Sequence, residues 1–271
     1  MKYFYLILVF ICLSLIILHP YTIYGKPGVL IVGVLTVYGI YHGVKKEFAI
    51  LFLMPAFALF MISYIGVVSS MFNDIFQLNH LLSVVSFIAM LFAAYGLWIF
   101  CQRNGISRDE VFVAVLFALV LNSVIIILEI NFQSFRLFIE SFLDPLEGTS
   151  INYSEGFRLR GIASSGGAGL SLSVPVSLTL ALHLFDRKTL SFYLFIPIVT
   201  ILLFSVLTIG RTGMILSVLP FAIYMVSLLK RGKVARLFII WVVLAPLLVF
   251  LYQFTIGYFT DIFGKDFMVR S

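Results

Sequence analysis

The chain has 271 residues, of which 62% are hydrophobic and 11% charged, with a net charge of +6 and a mean hydropathy of +1.14. An ordinary soluble domain is about half apolar and roughly 25% charged. The composition therefore excludes a soluble globular enzyme, a disordered region and a secreted disulfide scaffold. It describes a polytopic membrane protein, and the 16% share of Phe, Tyr and Trp suits lipid and interfacial surfaces.

Nine apolar runs follow one another along the chain, at roughly 3–19, 27–43, 48–68, 80–101, 110–130, 168–185, 190–209, 213–229 and 237–256. They are continuous rather than alternating, which excludes a closed barrel and leaves helices as the way to satisfy backbone groups in lipid. The expected fold is all-α: a transmembrane helix bundle of about nine spans forming one membrane domain over 1–271. The first run follows Met1–Lys2, is longer than the apolar core of a signal peptide, and has no Ala-x-Ala-like site after it. It reads as an uncleaved signal anchor. Cys12 and Cys101 fall at different depths of this topology, with no CxxC or Cys/His cluster, so both read as packing residues.

Lys and Arg sit in short clusters between the runs, as topology signals do, and form no basic face long enough to track a nucleic-acid backbone. With Met1 on the cytoplasmic side, eleven of the 18 cations fall inside and seven outside. The clearest signal is the loop Lys230-Arg-Gly-Lys-Val-Ala-Arg236. The positive-inside rule then places the N-terminus in the cytoplasm and, after nine spans, the C-terminus outside.

One connection is unlike the rest. Residues 131–167 form a long outer loop in which Phe132, Phe135, Phe138, Ile139 and Phe142 recur at three- and four-residue spacing. That spacing predicts an amphipathic helix over 131–143 lying on the membrane surface. Asp144-Pro145 stops it, because the residue before a proline is pushed out of helical geometry. A packed linker helix would show the same spacing. At the other end of the chain, Thr255–Ser271 carries Asp261, Lys265, Asp266 and Arg270. It reads as the opening of a second outer loop, so the chain is expected to be a fragment of a longer one.

The densest polar constellation is Glu155-Gly-Phe-Arg158-Leu-Arg160-Gly161-Ile-Ala-Ser164-Ser165-Gly166-Gly167-Ala-Gly169, leading into the sixth run. Arginine offers a planar fork of donors matched to phosphate oxygens. A Gly/Ser turn at a helix N-terminus adds free N–H groups and the positive end of the helix dipole. Together they describe a diphosphate site at the outer face, although a flexible loop with its arginines on lipid headgroups would use the same residues. A second constellation is Thr208-Ile-Gly210-Arg211-Thr-Gly213, a turn too short for a loop with a lone arginine in it. A cation at the edge of the hydrocarbon is costly unless it is paired, used or snorkels to headgroups.

Other candidates are single residues. Glu129, near the outer end of the fifth run, is placed to pair with one of these arginines. Asn122 is mid-span and suits an interhelical hydrogen bond. His19 and His80 fall at outer span ends, His42 and His183 at the inner face, and all four read as interfacial. Asp144, Glu147 and Glu155 read as solvated loop carboxylates. The chain has no P-loop, dinucleotide fingerprint, HExxH or DxD-type motif, which disfavours a nucleotide-driven enzyme.

These constellations resemble those of the O-antigen polymerase (Wzy-type) and O-antigen ligase (WaaL-type) superfamily of bacterial inner membranes. Arg158, ten residues and Gly169 fit the R-x10-G pattern of the polymerases' periplasmic loops. Arg160-Gly161 and the small residues after it resemble the family's entry into a span. Ile209-Gly-Arg211-Thr-Gly213 resembles its S-R-[ST]-G element, with Gly210 in place of Ser. The resemblance covers roughly residues 110–256.

It implies polysaccharide or lipopolysaccharide assembly: inverting transfer of a glycan from an undecaprenyl-diphosphate donor, with no metal, nucleotide sugar or other cofactor. The catalytic residues implied are Arg158, Arg160 and Arg211, holding the diphosphate. Gly161, Ser164, Ser165, Gly166, Gly167, Gly169, Gly210, Gly213 and Glu129 would line the substrate. The implied partners are the lipid-linked oligosaccharide, membrane lipid and a chain-length regulator, with no nucleic acid. The ligases' usual general base is a His in a later periplasmic loop, beyond Ser271.

Polymerase and ligase share the donor and differ in the acceptor, a second lipid-linked repeat or a lipid A-core sugar. The R-x10-G match favours the polymerase. A transporter or flippase for lipid-linked sugars is the reading from another class, and it should carry charges near mid-membrane. Here the polar groups gather at one face instead.

Overall fold

The structure is a computed structural model. It describes residues 2–18, 20, 22, 26–42, 57–61, 63–65, 68, 79–143, 163, 168–209, 211–232 and 253. Among them helices dominate and no strand forms beyond a single bridge between Thr22 and Leu143. The helices are α1 (Lys2–Leu18), α2 (Pro27–Tyr41), α3 (Asn79–Arg103), α4 (Arg108–Asn131), α5 (Gln133–Phe142), α6 (Ala168–Asp186), α7 (Phe192–Ile209) and α8 (Arg211–Lys230). Seven of them are helices where apolar runs were expected to be helical, and α5 is a helix where the amphipathic one was expected. The expected spans at 48–68 and 237–256 lie mostly outside the described residues.

Two stretches, Val84–Arg103 and Arg108–Asn131, are long and apolar enough to cross a membrane, and five shorter apolar helical stretches accompany them. The first is only 28% buried within the protein. Val85, Phe87, Met90 and Trp98 lie exposed along it, as do Leu30, Val34 and Val37 on α2 and Ile215, Val218 and Ile223 on α8. Large apolar side chains exposed along a helix in this way are the pattern of a surface that meets lipid or another protein.

By packing, the chain divides into two compact units, residues 1–20 with 24–114 and residues 21–23 with 115–271. In the first, α2 packs on α1 and, more extensively, on α3. Thr36 Oγ1 donates to the Ala89 carbonyl at 2.9 Å, and Gly39 lies against Phe92 and Gly96. His42 meets Arg103 two turns further along. Arg103 has only donors, so His42 Nε2 accepts, leaving the Nδ1 proton to the Tyr38 carbonyl at 2.9 Å. These contacts advance together, so α2 and α3 run parallel. At the end where α2 and α3 finish, Tyr5, Tyr38 and Phe100 meet edge to face, an aromatic girdle of the kind found at membrane–water interfaces.

α4 opens with a capping box. The Glu110 carboxylate accepts from Ser107 N–H at 2.7 Å and from its hydroxyl at 2.9 Å, while Glu110 N–H donates back to Ser107 Oγ. Lys2 adds an ion pair to Glu110 at 2.9 Å. Cys12 and Cys101 are free thiols.

In the second unit α6, α7 and α8 pack on one another around Leu178, Ala181, Val199, Leu202, Val206 and Leu228. Each carries an internal proline, Pro175, Pro197 and Pro220, which membrane helices tolerate because neighbours and hydroxyls satisfy the freed carbonyls. Hydroxyls turn inward onto their own helices: Ser177 donates to the Ser173 carbonyl at 2.8 Å and Ser217 to Gly213 at 2.6 Å. Arg231 Nη1 lies 2.6 Å from Asp186 Oδ2, which ties the end of α8 to the end of α6. α6 and α8 are therefore parallel, and α7 runs back between their ends.

Candidate functional site

Two helix N-termini come to one end of this second unit. α6 begins at Ala168, directly after the small-residue run, and α8 begins at Arg211. Both point the positive ends of their dipoles and their free N–H groups the same way, the arrangement that attracts anions. The opposite end holds Asp186, Arg187, Lys188, Lys230 and Arg231. The expected turn around Arg211 is tighter than the sequence suggested. α7 runs to Ile209 and Arg211 is already the first residue of α8, so only Gly210 intervenes. Gly213, in the first turn of α8, is buried, as are Leu170 in the first turn of α6 and Ala163, five residues ahead of that helix.

The site residues expected from sequence are unevenly described. Arg158, Arg160, Gly161, Ser164, Ser165, Gly166, Gly167 and Gly210 lie outside the described residues. For Gly169 and Arg211 the helical backbone is described. Glu129 and Gly213 are described in full, and Glu129 is only 5% exposed, in the last turn of α4.

A polar seam that sequence reading saw only in part runs up α4. Asn122, Ser123 and Glu129 are all buried, and Asn122 and Glu129 share one helical stripe at i, i+7. Across from it, the buried Ser205 of α7 shares its hydroxyl proton between the Ser123 Oγ at 3.0 Å and its own Leu202 carbonyl at 2.9 Å. The signal in the sequence was a small hydroxyl at mid-span in two different runs, but nothing local said which two would meet. Ser205→Ala should cost about 0.6 kcal/mol, the typical worth of an interhelical hydrogen bond within a membrane, read as a small drop in thermal stability in detergent.

A single residue, Phe132, separates the end of α4 from the start of α5. Its apolar side carries Phe135, Phe138, Ile139 and Phe142 and its polar side Gln133, Ser134, Glu140 and Ser141. None of its residues is buried. Phe138 and Phe142 pair edge to face at 4.9 Å, and Arg136 Nε bonds the Glu140 carboxylate at 2.9 Å. Leu143, in extended geometry, ends the helix, one residue ahead of the expected Asp144-Pro145 stop.

Lys2–Glu110, His42–Arg103 and Asp186–Arg231 each join gaps that the charge count assigns to the same, inner side. Thr22 and Leu143 come from two gaps assigned to the outer side. Among the described residues no group of three metal-ligating side chains occurs. No family model matches the chain, and no curated protein or solved structure matches it either.

Proposed function

We propose that this protein is a multi-pass bacterial inner-membrane glycosyltransferase that polymerises lipid-linked oligosaccharide repeats at the periplasmic face. The repeats belong to an O-antigen or exopolysaccharide, and transfer inverts the anomeric centre as undecaprenyl diphosphate departs. The observation that carries the reading is the gathering of anion-binding features at one end of the second unit. Two helix N-termini open there, one led by Arg211 and the other by a Gly/Ser run that follows Arg158 and Arg160.

Departure of a lipid diphosphate builds negative charge on phosphate oxygens. Preorganised guanidinium forks and backbone N–H groups are the stabilisers that such a transition state needs. Arg158, Arg160 and Arg211 hold the diphosphate. Gly161, Ser164, Ser165, Gly166, Gly167, Gly169, Gly210 and Gly213 let backbone approach it closely. α5 lies at the headgroup level with its phenylalanines toward the acyl region. A carrier of charged or polar solutes would place ionisable groups at mid-span. The described mid-span polar residues are instead neutral: Asn122, Ser123, Ser177 and Ser205.

Deletion of the gene in its source bacterium, with surface glycan resolved on a gel beside the complemented strain, tests this. Loss of the ladder with a single repeat still capping the lipid is the expected result. Complete loss of repeats, with polymer stranded on undecaprenyl diphosphate, would make the protein a ligase. An unchanged ladder, with unchanged exopolysaccharide, would overturn both and turn attention to transport.

A further inference from the structure

We propose that the end of the second unit where α6 and α8 finish holds an anionic phospholipid headgroup on Lys188 and Lys230, in the leaflet that the charge count makes cytoplasmic. The glycan chemistry proposed above plays no part in this. Only a membrane is needed, and three observations lead to it.

The first is a turn closed by an unexpected residue. α3, α6 and α8 end alike. Two residues past each helix, an amide donates three residues back: Gly105 to the Gln102 carbonyl at 3.3 Å, Lys188 to Phe185 at 3.1 Å and Gly232 to Leu229 at 3.0 Å. All three close in the left-handed region, with φ of 67° at Gly105, 62° at Lys188 and 67° at Gly232. Glycine takes that conformation without steric penalty and lysine does not. Among the described residues Lys188 is the one non-glycine with positive φ. Backbone strain of this kind is held at ligand clamps, where the side chain supplies what glycine lacks. Here that is an exposed ammonium.

The second is charge. From Ala168 to Gly232 the chain has one carboxylate, Asp186, and it engages Arg231 at 2.6 Å. That bond fixes the end of α8 against the end of α6. Arg187 and Lys188, which follow Asp186, and Lys230, which precedes Arg231, therefore gather around it, and all three are exposed. Among the described residues neither Lys188 nor Lys230 forms an ion pair. Four cations thus stand around one carboxylate. Helix dipoles offset little of the excess, since the ends of α6 and α8 supply about −0.5 charge each and the start of α7 about +0.5. A headgroup with two phosphates matches what is left.

The third is depth. Phe192 and Tyr193 open α7 at this same end and are exposed, and aromatic rings at a span end mark the headgroup level. Basic groups between membrane helices at that level suit acidic lipid headgroups.

Native mass spectrometry of the full chain in detergent, titrated with cardiolipin, tests the site. The wild type should retain a single cardiolipin in preference to phosphatidylcholine. Each lysine near the headgroup is worth about fivefold in affinity, so Lys188→Gly with Lys230→Gln should weaken retention on the order of 20-fold. Glycine suits the turn at 188, so the thermal midpoint without lipid should not fall. Lys188→Arg with Lys230→Arg should keep the lipid. Lys2→Gln with Arg108→Gln removes as much charge from the side assigned as cytoplasmic and should leave retention unchanged. Equal weakening by the two charge-removing pairs, or no weakening by Lys188→Gly with Lys230→Gln, would overturn the proposal. So would inorganic phosphate displacing the cardiolipin, which would make the site one for free phosphate.

Discussion

Arg158→Ala and Arg211→Ala, each introduced singly on the chromosome, should abolish extension of the glycan beyond one repeat while the protein stays in the membrane at its normal level. The size of this effect follows from the chemistry. Removing one preorganised donor from a site of developing negative charge typically costs a factor of about 10² to 10³ in rate, close to 3–4 kcal/mol. Polymer length integrates many such steps, so the ladder collapses instead of merely thinning. Arg→Lys at either position keeps the charge but loses the bidentate fork, so short ladders return and long ones do not. Arg231→Ala is the control. Arg231 sits at the opposite end, half exposed and paired with Asp186, and exposed pairs contribute at most about 1 kcal/mol. Its ladder should match the wild type. The readouts are the glycan gel and an immunoblot of the membrane fraction, and normal ladders from both arginine variants would sink the diphosphate assignment.

How much of this was legible in the residues differs between features. Helices were written in the continuous apolar runs, and their observed ends fall within a few residues of the runs. The amphipathic helix α5 was legible because 132–142 alternates apolar and polar groups at helical spacing, a pattern the all-apolar spans do not offer. Its start is sharper than the pattern suggested. Phe132 breaks from helical geometry with φ near −131°, and α5 begins one residue later. Arg211 was visible as a lone cation between two spans, but its place as the first residue of α8 depends on how tightly α7 turns into α8. Least legible were the helix contacts. Thr36 with Ala89, Gly39 with Gly96 and Ser123 with Ser205 each join residues far apart in the chain. A membrane span that is apolar all round carries no amphipathic stripe to say which side meets protein. Small residues are the only hint, and Gly33 shows that the hint does not suffice.

The contrast between Gly33 and Gly96 is the second large effect, and the same substitution should have opposite signs at the two sites. Gly33 lies inside α2, and a Cβ built there meets nothing within 4 Å. Gly33→Ala therefore changes only backbone entropy and should stabilise the helix by roughly 0.5–1 kcal/mol. Gly96 lies inside α3 where it crosses α2, and a Cβ there runs into the Leu35 carbonyl and stands 3.1 Å from Gly39 N. The obstruction is backbone, which cannot swing aside as a side-chain tip does. α2 and α3 must separate, giving up the Thr36 bond to the Ala89 carbonyl and the close dispersion contact that drives helix association where lipid tails are as apolar as leucine. Overpacking of this kind costs about 1–3 kcal/mol, and Gly96→Ala should fall at the upper end, with Gly39→Ala close behind because its Cβ would stand 2.7 Å from the Phe92 carbonyl. Thermal unfolding in detergent, followed by fluorescence-detected chromatography, reads all three variants in one series. A midpoint raised for Gly33→Ala and lowered for Gly96→Ala and Gly39→Ala is the expected pattern. Equal midpoints for Gly33→Ala and Gly96→Ala would mean that α2 and α3 do not meet at Gly96 in the membrane.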